Sequence, residues 1–451
     1  MQGRKIRMLT ETVQSFLNRG AAVNLQKLLS KSHVADVALV FRALTTDERI
    51  ALFSVVHGAD SRASLLEALD PRIQKELIRS IPQDDAARIV ECMPHDDAAD
   101  LLGHLDESLS NTLLERMHGA DSIQVEGLLE YEPDTAGGIM ATDFVALTED
   151  TPASDAIDVL RTSTDVDMVF YLYVVNEFGH LVGVVSLRNL VTVPPSTKLK
   201  KIMESRVIRV RPDTDQEEVA SLVARYNFLA IPVVDESNTL MGIVTVDDII
   251  DVIQEEAQED ILRMAGAGDD LEATRRVGDR FFARLPWVLL TILGGIGSLL
   301  ILESVAGLFY QNMLLVLFLP LLFMVSAVVG VQSATFVVQI LSSGMLPHGS
   351  AKSLLMREWI VGTGIGLLTG VVSGLVAGMV GDWRVALLLG LAVALSISWS
   401  AILGAGLPLL MRAANQDPAI ATGPFTKVII SLSALGIYCS FLSLLHVIAG
   451  S

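Results

Sequence analysis

Acidic side chains crowd residues 247–260 more densely than any other part of the chain. In a helix, residues three and four positions apart are neighbours, so like charges at this density destabilise the helix unless a cation lies among them. Oxygen-only clusters suit Mg²⁺ or Ca²⁺ rather than softer metals. The stretch therefore predicts a divalent-cation site, and a solvated helix face is the alternative. Its acids are Asp247, Asp248, Asp251, Glu255, Glu256, Glu259 and Asp260.

A second, weaker set of acids lies in a helical repeat over residues 22–130. The segments PQDDAARIV (82–90) and PHDDAADLL (94–102) share a proline, two aspartates and then apolar residues at helical spacing. Proline and acids are favoured at helix N-termini, so Asp96 needs no further role. Weak divalent binding along this acidic edge is the functional alternative, and its residues are Asp84, Asp85, Asp96, Asp97 and Asp100. Short helices repeated in this way predict an all-α superhelical domain.

Five apolar runs follow residue 286, and each is long enough to cross a bilayer as a helix, which takes about 20 residues. Within lipid the backbone must satisfy its own hydrogen bonds, so such runs are typical of membrane helices. The third run carries glycines at every fourth position, a pattern typical of close helix packing. We place the runs at 287–308, 313–341, 359–380, 385–411 and 424–448, with glycines at Gly362, Gly366, Gly370, Gly374 and Gly378.

Charge divides the chain into an acidic first part and a nearly neutral membrane part. The net charge is -19, from 52 acidic and 33 basic residues, and only 4 of the acids and 5 of the bases follow residue 286. An acidic soluble part disfavours nucleic acid and attracts cations. Basic residues lie before the first run and in alternate loops, which predicts a cytoplasmic N-terminus in a multi-pass protein of the plasma (inner) membrane. They are Arg275, Arg276, Arg280, Arg284, Lys352, Arg357 and Arg412.

Residues 141–256 contain two similar halves, each predicted as a β-α-β-β-α unit with a polar turn between its second and third strands. The clearest motifs are Pro232-Val233-Val234-Asp235 and Gly242-Ile243-Val244-Thr245. The repeat resembles a tandem pair of CBS domains, regulatory α/β modules that often bind adenine nucleotides. In that family a Thr-x-x-Asp pattern holds a ribose, and Thr245 and Asp248 match it, so the resemblance implies a nucleotide such as ATP at this pair.

The order of parts resembles the MgtE family of magnesium transporters over nearly the whole chain. The motifs that carry the resemblance are Asp134-Thr135-Ala136-Gly137-Gly138, the segment 245–252, the segment 256–261, Gln332-Ser333-Ala334-Thr335 and Asp417-Pro418-Ala419. The implied domains are a helical-repeat N-domain (1–130), CBS domains at 131–200 and 201–256, a connecting or plug helix (257–285) and five transmembrane helices (286–451).

The resemblance implies a homodimer in membrane lipid, with a cation pore between the second and fifth spans. Cytosolic Mg²⁺ would bind between acidic faces and close that pore. Carried over residue by residue, the sensing ligands are Asp248, Asp251, Glu256 and Glu259, and Asp417 and Gln332 belong to the pore.

Two departures from the family pattern fall in the implied pore. The second span of the family has a Gly-Gly-Asn run after its proline, where this chain has Ser326, Ala327 and Val328. The fifth span of the family carries an aspartate fourteen residues after that of the Asp-Pro-Ala motif, where this chain has Ser431. Lys427 lies one helical turn earlier, and a cation there opposes a divalent ion in a pore. The alternative is that Lys427, only a few residues into the run, extends its ammonium group to the cytoplasmic edge of the membrane.

Two functions are consistent with these residues. One is a Mg²⁺ channel or transporter gated by cytosolic Mg²⁺, and the other is a non-conducting or differently selective membrane-bound cation sensor. An enzyme is not expected, because the eight histidines are scattered and no serine, cysteine or His-x-x-x-His arrangement typical of catalysis occurs.

Overall fold

A computed structural model describes residues 2–162, 170–265, 277–342, 351–414 and 416–450. The chain forms two compact units, Met1–Ile253 and Gln254–Ser451. Arg275 and Arg276, which the sequence places before the first span, lie outside the described residues, as does part of the predicted plug helix.

The first unit begins with ten short helices that form a superhelix. Each helix packs against the helix two positions further along the chain, so that odd-numbered and even-numbered helices form two layers. Proline begins α6, and Thr45 and Glu48 form a capping box at α4, so local sequence fixes where these helices start. The helices are α1 (Gln2–Asn18), α2 (Ala22–Leu29), α3 (Val34–Ala43), α4 (Thr46–Val55), α5 (Ala59–Glu67), α6 (Pro71–Ser80), α7 (Gln83–Val90), α8 (His95–Gly103), α9 (Glu107–Leu114) and α10 (Gly119–Leu128).

Two α/β halves complete the first unit. In the first half β1 (Ala146–Thr148) pairs in parallel with β2 (Tyr171–Val175), which pairs antiparallel with β3 (Leu181–Ser186). In the second half β4 (Ala230–Val234) pairs antiparallel with β5 (Leu240–Thr245), and both hairpins shift register at the same place, next to the last residue of their first strand. The helices are α11 (Ala153–Thr162), α12 (Leu187–Thr192), α13 (Gln216–Tyr226) and α14 (Val246–Ala265), with a 3₁₀ turn at Leu199–Lys201.

The second half differs from the predicted repeat at its first strand. Where β1 would recur, the described structure has a single parallel bridge between Val210 and Val233. Pro212 follows two residues later and has no N–H to donate, which limits further pairing.

Apolar burial joins these parts of the first unit. One continuous core runs from Val13 through the superhelix to Val233, Val244 and Val252 of the second half. A separate core between the two halves contains Tyr173 and Ile243. The second half is therefore packed on the superhelix, and the two halves are packed on each other.

Seven helices form the described membrane part. Within them, five segments are long and apolar enough to cross a membrane, Arg284–Ser304, Met313–Leu341, Ala351–Val380, Trp383–Ala413 and Pro424–Leu444. The helices are α15 (Val277–Ser304), α16 (Ala306–Gln311), α17 (Met313–Leu317), α18 (Leu319–Ser342), α19 (Ala351–Val380), α20 (Trp383–Ala413) and α21 (Pro424–Gly450), and a 3₁₀ turn, Pro418–Thr422, precedes α21.

The start of α19 differs from the sequence prediction. We placed the third run at 359–380, but the helix begins at Ala351 and includes Lys352, Arg357 and Glu358. Hydropathy marks only the length of a helix that lies within the bilayer. Backbone hydrogen bonding continues beyond that length, through the charged first turns. Lysine and arginine near a helix end can extend their charged groups toward the membrane surface.

The second span is broken near its beginning, between α17 and α18. The break falls at Phe318, and Pro320 follows in the first turn of α18, where a missing N–H is tolerated. Near this break the buried Tyr438 hydroxyl donates a hydrogen bond of 2.9 Å to the Leu315 carbonyl oxygen. In lipid a carbonyl near a helix break needs such a partner, so α21 supports the irregular start of the second span.

Glycines of α19 face α20, as their spacing predicts. A Cβ atom at Gly366 would lie 2.5 Å from the Ala394 carbonyl oxygen, and one at Gly390 would lie 2.6 Å from the Gly370 carbonyl oxygen. Only glycine permits the two backbones to approach this closely. The stripe is therefore a packing feature.

Candidate functional site

Two helix N-termini bring aspartates together in the first unit. Asp96 and Asp97 lie in the first turn of α8, and Asp248 lies in the first turn of α14. Acids are favoured in both places because free N–H groups and the helix dipole stabilise them. Glu67, at the end of α5, and Asp100, one turn into α8, act on the same carboxyl group, that of Asp97. We call Glu67, Asp96, Asp97, Asp100 and Asp248 the acid cluster.

Burial and mutual repulsion make the acid cluster costly to ionise. Burial, followed by the charges of Asp96, Glu67, Asp248 and Asp100, raises the pKa of Asp97 to about 9. Burial also raises the pKa of Asp248 to about 7, against the opposing hydrogen bond from Thr245.

Asp96 adds an unpaired atom to this cluster. Burial raises the pKa of its carboxyl group, and its buried Oδ1 has no hydrogen-bond partner among the residues that the structure describes. A buried polar atom without a partner is costly in a folded protein. A cation among these carboxylates would satisfy the orphan oxygen and remove the repulsion.

The acid cluster is suited to a partly hydrated cation. Within the described ranges, no three His, Cys, Asp or Glu side chains converge tightly enough to form a ready-made metal site. Mg²⁺ dehydrates reluctantly and is usually held by one or two carboxylates together with several water molecules. The residues present fit that mode of binding.

Sequence reasoning identified part of this cluster. The structure brings the predicted Asp96, Asp97, Asp100 and Asp248 together, and it adds Glu67, which was not singled out. Asp97 carries no local signal that separates it from Asp85, the equivalent residue of α7, which instead pairs with Arg88. Only the packing of α8 distinguishes them.

The other predicted sensing residues lie further along α14. Asp251 is an exposed residue of the helix, but its carboxyl group is partly desolvated. This desolvation, followed by the charge of Asp247, raises the pKa of the carboxyl group. Glu256 is half-buried, and Glu259 forms an ion pair with Arg263. Glu256 and Glu259 belong to the second unit, whereas Asp248 and Asp251 belong to the first.

The predicted nucleotide residues are adjacent in the structure. The Thr245 hydroxyl donates to the carboxylates of Asp247 and Asp248, the latter at 2.5 Å. The Val246 N–H donates to the Leu229 carbonyl oxygen, which fixes the end of β5 beside the loop that follows α13. A hydroxyl and a carboxylate side by side can bind the two hydroxyls of a ribose, and Asp248 is then shared with the acid cluster.

The predicted pore residues lie on two neighbouring helices and the segment before them. Gln332 is exposed on α18, Lys427 is exposed in the first turn of α21, and Ser431 is half-buried one turn later. The two helices approach closely where Gly330 faces Ile430. Asp417 precedes α21, where its Oδ1 accepts a hydrogen bond of 2.8 Å from the Ala419 N–H and its other oxygen binds Arg263.

The chain matches known families along most of its length. Residues 32–134 match the MgtE intracellular N domain, residues 136–196 and 199–255 each match a CBS domain, and residues 319–441 match a divalent cation transporter domain named MgtE. The magnesium transporter MgtE of Thermus thermophilus is 32% identical over 443 residues, which cover 97% of this chain and 98% of that protein. The chain belongs to the MgtE family of divalent cation transporters.

Two further relatives support the same assignment within the MgtE family. The magnesium transporter MgtE of Bacillus subtilis is 32% identical over 427 residues, which cover 94% of each chain. The cytosolic domain of the Mg²⁺ channel MgtE, solved in complex with ATP, is 36% identical, with a TM-score of 0.52, and covers 54% of this chain and 99% of that one.

The predicted fold class is confirmed for this MgtE family member. It combines a superhelical N-domain, an α/β CBS pair and five membrane-spanning helices. The protein is therefore a multi-pass membrane protein. The exact domain boundaries and the roles of individual site residues stay predictions.

Proposed function

We propose that this protein conducts Mg²⁺ across the plasma (inner) membrane and that cytosolic Mg²⁺ regulates the pathway. The observation that carries the regulatory part is the acid cluster, because Asp97 and Asp248 have raised pKa values and Asp96 has a buried oxygen without a partner. Such a group of carboxylates favours a bound divalent cation. Relatives named magnesium transporters, similar along nearly the whole chain, support Mg²⁺ as the ion.

The cation would enter the acid cluster as a hydrated ion. Asp97 and Asp248 would bind it directly or through water, and both carboxyl groups would lose the protons that burial now favours. Binding would therefore release protons and draw the N-terminus of α8 toward that of α14. At low cytosolic Mg²⁺ the carboxyl groups take up protons again, no cation bridges the two N-termini, and the contact between these helices loosens.

The pathway itself would lie along α18 and α21 in a homodimer. Gln332, Thr335 and Gln339 are exposed along α18, and polar side chains facing lipid are costly. A second copy or water would cover them. In the first unit, Leu187, Val191, Ile250 and Ile253 are exposed apolar side chains on α12 and α14, and they would contribute to the same homodimer.

The N-terminus would lie in the cytoplasm, and the CBS pair would bind a nucleotide. Arg284, Lys352, Arg357 and Arg412 lie at one end of the spans, which supports a cytoplasmic N-terminus. ATP would bind at Thr245 and Asp248, because those side chains lie together and a relative's cytosolic domain was solved with ATP. No catalytic role and no nucleic-acid binding are proposed.

A second candidate function rests on α21. Lys427 is exposed one turn before the half-buried Ser431, where the family pattern has a carboxylate. A cation facing the pathway would oppose Mg²⁺, so the chain would act as a differently selective pathway or as a non-conducting cation sensor.

Mg²⁺ uptake into proteoliposomes distinguishes the two functions. We expect measurable uptake by the wild-type chain and faster uptake by the double variant Ser431→Asp with Lys427→Ala. If the double variant takes up Mg²⁺ and the wild-type chain does not, the wild-type chain is a cation sensor whose pathway no longer conducts Mg²⁺. Arg384→Ala, which removes an exposed positive charge at the start of α20, is the matched control and should leave uptake unchanged.

A further inference from the structure

The last turn of α14 contacts the segment that connects α20 to α21, and both lie in the second unit. The Arg263 guanidinium group pairs with Glu259, one turn earlier on the same helix, and donates to Asp417 of the connecting segment. The backbones are also close, because a Cβ atom at Gly423 would lie 3.2 Å from the Arg263 carbonyl oxygen. Two elements far apart in sequence therefore meet at one arginine.

The ion pairs at Arg263 are partly shielded from water. The side chains of Arg263, Glu259 and Asp417 are 31%, 30% and 29% exposed. Fully exposed ion pairs contribute little to stability, but a shared guanidinium in a partly desolvated position contributes more. The low exposure of the three side chains distinguishes this contact from solvent-exposed pairs such as Arg161 with Asp158, whose side chains are 72% and 69% exposed.

Acidic groups surround this arginine. Asp260 is half-buried, and its pKa is raised first by burial and then by the charges of Asp417 and Glu256, while Arg263 lowers it. Glu259, Asp260 and Asp417 thus share the charge of one guanidinium group. Without it, their repulsion would separate α14 from the connecting segment unless a divalent cation entered.

We propose that Arg263 is a built-in cation that holds the end of α14 against the segment before α21 whether or not Mg²⁺ is bound. Arg263 is a positioning residue, since it acts by fixing α14 rather than by binding the transported ion. Its consequence for gating rests on the proposed function, but the contact itself does not. At this contact a side chain supplies the positive charge that Mg²⁺ would supply at the acid cluster.

Hydrogen exchange of the α14 amides over residues 259–264 tests the proposal in the full chain in lipid nanodiscs. We expect slow exchange in the wild-type chain both with EDTA and with excess Mg²⁺. In EDTA, Arg263→Gln should exchange at least about tenfold faster, which corresponds to about 1.4 kcal/mol. Asp417→Asn should do the same, since its amide oxygen can still accept the Ala419 hydrogen bond.

Two further variants make the test specific. Arg412→Gln removes the same charge from an exposed position at the end of α20 and should leave exchange unchanged. Arg263→Gln combined with Asp417→Asn should exchange no faster than Arg263→Gln alone, because each single variant already breaks the Arg263–Asp417 pair that joins α14 to the connecting segment.

Two results would overturn the proposal. One is exchange in Arg263→Gln equal to wild type in EDTA. The other is wild-type exchange that becomes about tenfold slower when Mg²⁺ is added, because the contact would then depend on the metal. Neither readout requires ion flux, so a chain that fails to conduct Mg²⁺ would leave the test of Arg263 intact.

Discussion

The carboxyl group of Asp97 controls how the acid cluster responds to pH and to cations. Its pKa of about 9 and that of Asp248, about 7, lie far above the ordinary value near 4. Between the ordinary carboxyl pKa near 4 and these raised values, the folded protein binds more protons than the unfolded chain. Stability from these groups is therefore present at low pH and is lost as the pH rises toward the folded-state pKa values.

Without divalent cations, we expect hydrogen exchange of the α8 amides to become faster as the pH rises from about 5 to about 9, after correction for the intrinsic exchange rate. Excess Mg²⁺ should remove this pH dependence, because it stabilises the ionised carboxylates. Exchange protection that is constant over this range, or that increases with pH, would contradict the raised pKa values.

Replacing Asp97 by asparagine should stabilise the first unit when no Mg²⁺ is present. The variant Asp97→Asn keeps the shape of the side chain and removes the cost of taking up a proton on folding, so at neutral pH we expect a gain on the order of 1–3 kcal/mol. The stabilisation of α8 by Mg²⁺ should become smaller. Hydrogen exchange of α8 in the full chain measures both effects.

Asp85→Asn is the matched control for this variant. Asp85 occupies the equivalent position of the repeat in α7, but it pairs with Arg88. Its replacement should not stabilise the protein and should leave the response to Mg²⁺ unchanged. Equal behaviour of the two variants would mean that Asp97 has no special environment.

The same pair of residues marks the limit of sequence reasoning at this scale. The two repeats carry the same aspartate pair after a proline, and helix capping explains both equally well. Asp96, Asp97 and Asp100 were predicted as candidates, and so were Asp84 and Asp85 of the preceding repeat. Glu67 was missed, because α5 meets the cluster only through packing. The Arg263 contact was missed for the same reason, since Asp417 is distant in sequence.

At the scale of elements, the glycine stripe of α19 fixes its distance from α20. A Cβ atom at Gly366 would lie 2.5 Å from a backbone oxygen of α20, which cannot move without displacing the helix. A Cβ atom at Gly364, on the same helix, would meet nothing within 4 Å. Alanine at Gly366 would therefore report on helix packing, whereas alanine at Gly364 would report on helix propensity alone.

We expect Gly366→Ala to destabilise the membrane part by about 1–3 kcal/mol through overpacking. Gly364→Ala should leave stability unchanged or slightly higher, because alanine favours helix formation. Thermal unfolding of both variants in detergent, followed by tryptophan fluorescence, measures the difference, since all four tryptophans lie in the membrane helices. Equal melting temperatures would show that α19 and α20 pack less closely than described.

Elements with a strong local pattern were predicted well, and irregular ones were not. The repeated short helices, the two hairpins and the apolar runs all follow from periodicity. The charged start of α19 and the break between α17 and α18 do not, because hydropathy does not report backbone hydrogen bonding. The Tyr438 hydroxyl that supports this break also lies 123 residues from its partner.

At the scale of the whole molecule, the order of parts was predictable from sequence. An acidic soluble part precedes a nearly neutral membrane part, and each matches its own section of the MgtE family. The sequence alone does not show how charges attract and repel one another at the acid cluster and around Arg263. We assign regulation to the acid cluster and constant positioning to Arg263.

Mg²⁺ uptake at controlled Mg²⁺ on the cytosolic face tests the central claim most directly. The full chain is reconstituted in proteoliposomes with a Mg²⁺-sensitive dye inside, and the wild-type chain is compared with Asp97→Asn and Asp85→Asn. We expect uptake that falls as Mg²⁺ on the cytosolic face rises, with a weaker fall in Asp97→Asn and a wild-type fall in Asp85→Asn. Uptake that is absent, or that does not change with cytosolic-side Mg²⁺, would contradict a Mg²⁺-regulated pathway.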